Sequence, residues 1–142
     1  MDVSTRLSTI HLINIYAPAN TIAKKNSFFD SLHLHITSKI LVIMAGDFNI
    51  LYRPDIYRYP PGASNEKSKT LISLCNTFQL TDAFRTLYGD VRDYTRRQGH
   101  SQARLDRIYV SKEILIAEQY SIPESLSDRD IVVLHIKNVT TP

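Results

Sequence analysis

The stretch Ile40-Leu41-Val42-Ile43-Met44-Ala45-Gly46-Asp47-Phe48-Asn49 decides the fold, because a short apolar run passes directly into polar residues. A continuous apolar run of this length predicts a strand that is buried on both faces. We expect Gly46 to let the chain leave the sheet sharply. In extended backbone, Asp47 and Asn49 are two residues apart and point to the same side. The stretch therefore predicts a carboxylate and an amide oxygen together at the end of a buried strand.

The residues before this stretch predict a parallel crossover. Residues 7–16 are rich in β-formers, and Pro18 ends them, so they predict a buried strand. Residues 21–37 carry apolar side chains at helical spacing after the start signal Asn20. A strand, a helix and a second strand in this order are typical of parallel pairing.

The residues after it complete an α/β pattern. Residues 53–65 predict a loop, residues 66–78 a helix and residues 104–110 a strand. Residues 112–117 predict one or two helical turns, and residues 131–136 a last buried strand. We expect one domain over residues 1–142. We also expect it to be partial, because the first residues run almost directly into a buried strand.

Composition excludes several classes of protein. Of 142 residues, 43% are hydrophobic and 22% are charged, which is typical of a soluble globular domain. Cys75 is the only cysteine, so an intrachain disulfide and a zinc site of several cysteines are both excluded. No apolar run approaches the roughly 18 residues of a membrane span, and no secretion signal precedes the first strand. We expect an intracellular protein, nuclear or cytoplasmic, with no membrane contact; the sequence leaves its oligomeric state open.

The net charge of +3 is concentrated in one part of the chain. Residues 85–107 contain six arginines against three aspartates, so this segment carries the whole surplus. Arginines that alternate with aromatic residues can follow a phosphate backbone, although such a cluster is more commonly a solvated surface. We predict that Arg96, Arg97 and Arg104 contact DNA.

Polar residues also follow three other predicted strands, in the segments Asn14-Ile15-Tyr16-Ala17-Pro18, Arg104-Leu105-Asp106-Arg107 and Ser127-Asp128-Arg129-Asp130. Strand ends project side chains from a rigid scaffold into a cleft. Carboxylate and amide oxygens are the ligands that Mg²⁺ or Mn²⁺ prefers. The alternative for Asp47 and Asn49 is a turn in which both side chains bond their own backbone.

Taken in order, these segments resemble the motifs of the endonuclease/exonuclease/phosphatase superfamily. The stretch from Tyr94 and Thr95 to Asp106-Arg107-Ile108-Tyr109-Val110-Ser111 is similar to the endonuclease domain of LINE-type retrotransposons. The resemblance implies a four-layered sandwich of two packed mixed β-sheets flanked by helices, here lacking its first strands. It also implies divalent-metal-dependent hydrolysis of DNA phosphodiesters.

The resemblance assigns a role to each matching position. Tyr16 would contact the scissile phosphate, Asp47 would align or deprotonate water, and Asn49 would stabilise the transferred phosphoryl group. Asp106 would brace the last motif. Asp128, with Asp47, would hold Mg²⁺ or Mn²⁺, and Thr95 would line the DNA cleft.

Two departures from the family predict weak hydrolysis. The family places an Asn and a metal-binding Glu ahead of Asn14, and this chain begins too late to include them. Arg129 stands where the family has His; a guanidinium binds phosphate but transfers no proton. Metal binding should be weakened. The alternatives are an inactive, transposon-derived nucleic-acid-binding remnant and a phosphomonoesterase of the same superfamily.

Overall fold

A computed structural model describes residues 1–4, 9–19, 21–37, 40–50, 58–59, 68–91, 94–98 and 101–139. The helices are α1 (Ile22–Ser31), α2 (Lys69–Phe78) and α3 (Ala83–Tyr88), with a 3-10 turn at Leu32–Leu34. The strands are β1 (Asp2–Ser4), β2 (Thr9–Tyr16), β3 (Leu41–Asp47), β4 (Arg58–Tyr59), β5 (Leu80–Asp82), β6 (Arg96–Gln98), β7 (Ser101–Ala103), β8 (Asp106–Ser111), β9 (Ile114–Ile122) and β10 (Ile131–Val139). No helix in this described part is long and apolar enough to cross a membrane.

The main sheet has five strands in the order β1-β2-β3-β8-β5. β2 and β3 are parallel and are joined through α1, as the sequence predicts, while the other pairs are antiparallel. β9 and β10 form a second, antiparallel sheet, and β4, β7 and β6 form a small third one. The main sheet is therefore mixed.

The central strand β3 is apolar on both sides, so both faces of the main sheet need to be covered by other elements. Val42 and Met44 belong to a core with Phe29 of α1 and Leu74 of α2. Ile43 lies on the opposite face, in a second core with residues of β9 and β10. The two sheets therefore pack face to face with α1 and α2 outside, which confirms the predicted α/β sandwich of mixed sheets and helices.

Side-chain caps fix where the two longer helices begin. Thr21 Oγ1 accepts a hydrogen bond from the Lys24 backbone at the start of α1; the predicted start signal, Asn20, lies outside the described residues. Ser68 Oγ accepts from the Leu71 backbone at 3.1 Å and donates to Asn26 Oδ1 at 2.6 Å. Ser68 thus caps α2 and also ties it to α1.

The chain after β8 differs from the sequence prediction. Residues 112–117 are not helical: Lys112 and Glu113 form a tight turn, and β9 begins at Ile114. The last strand extends to Val139 and is not fully buried, since Ile131 is 50% exposed. β8 begins at Asp106, two residues later than predicted. The predicted loop over 53–65 lies outside the described residues except for β4.

Among the short elements that were not predicted are β5 and α3. β5 pairs with the outer edge of β8, and α3 follows it directly. The Asp82 carboxylate caps α3 by accepting from the backbone of Phe84 and Arg85. Neither element is long enough to show a periodic apolar pattern in the sequence.

Gly46 has a different role from the predicted one. It lies inside β3 with φ +142°, and a Cβ at this position would be 1.9 Å from the Ile15 carbonyl oxygen of the neighbouring strand. The absence of a side chain therefore allows β2 and β3 to pair closely, rather than allowing the chain to leave the sheet.

Gly46→Ala should lower the free energy of unfolding by at least about 2 kcal/mol, because the new methyl group combines backbone strain with a collision. Urea unfolding measures this loss. The matched control is Gly89→Ala, at φ +62°, where a Cβ would have no neighbour within 4 Å. Equal losses in both variants would show that the approach of Ile15 is unimportant.

Candidate active site

Three of the predicted site residues lie side by side at one end of the main sheet. Tyr16 of β2 is the register partner of Asp47 of β3, and Asp47 is the register partner of Asp106 of β8. Directly paired residues share one face of a sheet. Asp47 is 8% exposed, whereas Tyr16 is 79% exposed. The row therefore presents an open phenol next to two shielded carboxylates.

Arg129, from the segment between β9 and β10, connects the two carboxylates. Its Nη1 lies 2.7 Å from Asp47 Oδ2 and 3.0 Å from Asp106 Oδ2, and its Nε lies 3.8 Å from Asp128 Oδ1. The Arg129 side chain is half-buried. One guanidinium thus joins the ends of β3 and β8 to the loop of the second sheet.

Asp128 lies beside this cluster but is more open to solvent. Its carboxylate is half-exposed and is 3.4 Å from Arg96 Nε. Arg96 and Arg129 also form an isolated β-bridge, which brings β6 next to the loop. The structure therefore places Asp128 within reach of two arginines.

Asn49 lies next to Asp47, as the sequence predicted, but its backbone is not extended, and this part of the prediction is wrong. Its φ of +47° is left-handed, its backbone N–H donates to Asp47 Oδ1 at 2.9 Å, and its Nδ2 donates to the Ala17 carbonyl at 2.7 Å. The Asp47 side chain thus forms the turn that the sequence left open as the alternative, whereas the Asn49 side chain bonds the end of β2 and not its own backbone. Asn49 fixes the Asp47 carboxylate and links the ends of β2 and β3.

Thr95 does not line a cleft, because it is 0% exposed. Its hydroxyl donates to Asp106 Oδ2 at 2.9 Å and accepts from the Asp106 backbone at 3.1 Å. Its backbone carbonyl accepts from Asp130 N–H at 2.7 Å. Thr95 therefore positions Asp106 and the loop that carries Arg129. A lone threonine in the sequence gives no signal of such a role.

The basic segment is not one continuous surface. Arg104 is 0% exposed, and its guanidinium lies 4.0 Å from the centre of the Phe84 ring, so the predicted DNA contact of Arg104 is wrong for this arrangement. Arg107 is also buried. Arg96 is half-buried beside Asp128, and the side chain of Arg97 lies outside the described residues. Fewer arginines are therefore open to a polyanion than the sequence suggested.

The sequence did not point to a role for Arg107. Its Nη2 donates to the Ile50 carbonyl, and its guanidinium lies 5.0 Å from the centre of the Phe48 ring. It therefore holds the turn that follows Asp47. Successive residues of a strand point to opposite faces, so Asp106 and Arg107 lie on opposite faces of β8. This alternation is the sequence signal that the two residues have different roles.

Burial and the neighbouring charges shift the pKa values of Asp106 and Arg129 in opposite directions. Burial raises the pKa of Asp106 above its ordinary value, although the Thr95 hydroxyl and the Arg129 charge both lower it. Burial lowers the pKa of Arg129, but the charges of Asp106 and Asp47 outweigh it and hold that pKa above its ordinary value. Arg129 therefore stays protonated and cannot act as an acid or a base.

The sandwich fold carries a row of polar residues at its strand ends, and comparison with known proteins identifies the family. Residues 13–129 match the Endonuclease/Exonuclease/phosphatase family, and the chain belongs to it. It is 35% identical over 121 residues to the transposon TX1 uncharacterized 149 kDa protein of Xenopus laevis, covering 80% of this chain and 9% of that protein.

Solved structures share the fold. An AP endonuclease from Archaeoglobus fulgidus superposes with a TM-score of 0.75 at 15% identity, covering 91% of this chain and 62% of that one. The endonuclease domain of TRAS1, a telomere-specific non-LTR retrotransposon, gives 0.67 at 18% identity, covering 96% and 59%. The chain thus spans less than two thirds of each relative.

The residues at this site do not fit a divalent metal as they stand, although the superfamily is generally metal-dependent. Among the described residues, no three His, Cys, Asp or Glu side chains are grouped so that they could hold an ion. The nearest acidic pair, Asp47 and Asp106, already shares the Arg129 cation. The predicted metal ligands Asp47 and Asp128 are therefore engaged by arginines.

Thr95→Val should raise the pKa of Asp106 further, because it removes a hydrogen bond that favours the ionised carboxylate. A carboxyl group whose folded pKa is raised gives stability below its unfolded pKa, and that stability is lost as the pH rises through the folded pKa. The variant should therefore be destabilised more at pH 7 than at pH 4, by about 1–3 kcal/mol at pH 7.

Carboxyl ¹³C NMR titration measures the pKa of Asp106, and urea unfolding at the two pH values measures the stability. Thr95→Ser is the matched control, since it keeps the hydroxyl. An Asp106 titration curve that does not move in Thr95→Val would contradict the positioning role of Thr95.

Proposed function

We propose that this chain is a DNA endonuclease module of the retrotransposon type, which recognises phosphodiesters at the Tyr16–Asp47–Asp106 row and hydrolyses them weakly. The observation that carries the proposal is the row itself, in which Tyr16 pairs with Asp47 and Asp47 with Asp106 at the end of the main sheet. Membership of the family and the likeness to a transposon protein and to a retrotransposon endonuclease domain support DNA as the substrate.

The residues of the row suit different parts of phosphate recognition. Tyr16 is exposed and can donate its phenol proton to a phosphate oxygen. Arg129 is a half-buried, permanent cation that contacts Asp47, the neighbour of Tyr16 in the row, and a guanidinium matches the geometry of a phosphate. Asn49 holds Asp47 in one orientation through two hydrogen bonds. A phosphodiester that approaches Tyr16 would therefore meet the phenol as a donor, next to carboxylates whose charge Arg129 partly offsets.

The same contacts limit hydrolysis. Both oxygens of Asp47 are already in contact with a donor, one with the Asn49 backbone and one with Arg129, so an attacking water would have to share the carboxylate with these donors. Arg129 supplies no proton. General acid–base help is worth about 100-fold to about 10,000-fold, so its absence alone makes the reaction slow. The Arg129 ion pairs therefore also favour the second candidate function, a nucleic-acid-binding module without activity.

DNA binding should be electrostatic and strongly dependent on salt. Arg96→Ala combined with Arg97→Ala should lower the slope of log K against log salt by up to about 1.8, since each lost phosphate contact on duplex DNA accounts for about 0.9. Fluorescence anisotropy over a series of NaCl concentrations measures the slope.

The matched control is Lys112→Ala with Lys137→Ala, which removes the same charge. Lys112 follows β8 at the end opposite Asp106, and both lysines are exposed. If the lysine variant flattens the slope and the arginine variant does not, DNA binds elsewhere on the molecule.

Plasmid nicking by the unmodified chain should be weak in Mg²⁺, close to background, and Asp47→Ala should lower it only slightly. The reason is that Asp47 and Asp106 both contact Arg129, which cannot transfer protons. Supercoiled plasmid in Mg²⁺ and in EDTA provides the assay. Strong EDTA-sensitive nicking, far above background, that Asp47→Ala abolishes would establish a fully active endonuclease and disprove the weak hydrolysis.

A further inference from the structure

We propose that the Arg129 guanidinium is the resident cation of the Asp47–Asp106 pair, in the place of a divalent metal. The inference concerns the cation and does not depend on DNA being the substrate. Two carboxylates on paired strands need a positive charge between them, and in this chain a side chain supplies it. Arg129 then offsets one of the two formal negative charges in the absence of any metal.

Arg129 contacts both carboxylates through one nitrogen, as an ion shared between them would. A single atom, Nη1, lies 2.7 Å from Asp47 Oδ2, 3.0 Å from Asp106 Oδ2 and 3.2 Å from Asp106 Oδ1. One positively charged atom therefore contacts three carboxylate oxygens from two strands. A metal ion bound by the same two carboxylates would need these oxygens.

Each of the four carboxylate oxygens already has a donor. Asp47 Oδ1 accepts from the Asn49 backbone, and Asp47 Oδ2 contacts Arg129. Asp106 Oδ2 accepts from Thr95 and from Arg129, and Asp106 Oδ1 accepts from Arg129. A metal bound between the two carboxylates would need the position of the guanidinium, so the two cations compete for that position.

The backbone around Arg129 holds the side chain in this position. The Arg129 N–H donates to Ser127 Oγ at 3.1 Å, residue 129 forms a β-bridge with Arg96, and Asp130 N–H donates to the Thr95 carbonyl. The loop that carries the cation is therefore anchored on both sides of Arg129. Pre-organisation of this kind favours the tethered cation over a diffusing one.

The consequence is a linkage between Arg129 and metal affinity. A ligand stabilises a folded protein only to the extent that it binds the folded state, so Mn²⁺ should leave the melting temperature of the unmodified chain unchanged. Arg129→Gln removes the charge and leaves two carboxylates that an ion can share. Mn²⁺ should then bind and raise the melting temperature of that variant.

The experiment measures Mn²⁺ binding by electron paramagnetic resonance and thermal unfolding in Mn²⁺ and in EDTA at equal ionic strength. Arg129→Gln should bind Mn²⁺ at least about tenfold more tightly than the unmodified chain, which corresponds to about 1.4 kcal/mol. Arg129→Lys, which keeps the charge, should not gain affinity. Adding Asp47→Asn to Arg129→Gln should abolish the gain.

Arg96→Gln is the matched control, because it removes the same charge from an arginine that contacts Asp128 rather than the carboxylate pair. An equal gain in Arg96→Gln would overturn the proposal by showing a general charge effect. Mn²⁺ binding by the unmodified chain that Asp47→Asn abolishes would also overturn it. If Arg129→Gln does not fold in EDTA, the proposal requires that Mn²⁺ restores its folding, and failure of Mn²⁺ to do so would contradict it.

Discussion

Asp47 and Asp106 lie directly opposite each other on paired strands, and the charge of Arg129 is what makes that pairing tolerable. Like charges in register on neighbouring strands repel, and at a distance of about 4 Å near a protein surface the interaction of two unit charges is about 4 kcal/mol. Arg129 turns this repulsion into two attractive contacts. Since the arginine comes from the loop of the second sheet, the same contacts also join the two sheets at this end of the sandwich.

The site depends on the strand register as much as on charge. The close pairing of β2 with β3 needs Gly46, and the same pairing brings Tyr16 level with Asp47. β8 then continues the row with Asp106. A slip of one residue in either pairing would move a site residue to the opposite face, against the hydrophobic core. The backbone of three strands thus determines the spacing of the polar groups before any side chain contact forms.

Most of the core strands could be predicted from the sequence, because a short, continuous apolar run such as residues 40–45 fits a buried strand better than a helix. β9 could not, since its first residues after Lys112 and Glu113 also fit a short amphipathic helix; pairing with β10 decides the conformation. The strand ends could be assigned to one site because each carries a polar motif after an apolar run. The roles of these residues and their burial could not be predicted in the same way.

Buried polar residues account for most of the differences between the predicted site and the observed one. Thr95, Arg104 and Arg107 belong to types that are usually exposed, so a sequence gives no reason to place them inside. Each is inside because a specific partner lies there: Asp106 for Thr95, the Phe84 ring for Arg104, and the Ile50 carbonyl for Arg107. Tertiary contacts of this kind are set by the whole fold rather than by the neighbouring sequence.

Arginine at position 129 determines what the cluster requires of its other members. With a neutral or titratable partner, an aspartate pair can lower its charge by taking up a proton or an ion. With Arg129 in place, the loss of either carboxylate leaves a half-buried guanidinium with less compensation, and the loss of Arg129 leaves two shielded carboxylates uncompensated. Removing one partner of a shielded ion pair costs more than exchanging the whole set. The aspartates are therefore held by the electrostatics of the fold itself, independently of catalysis, and their presence alone does not indicate an active enzyme.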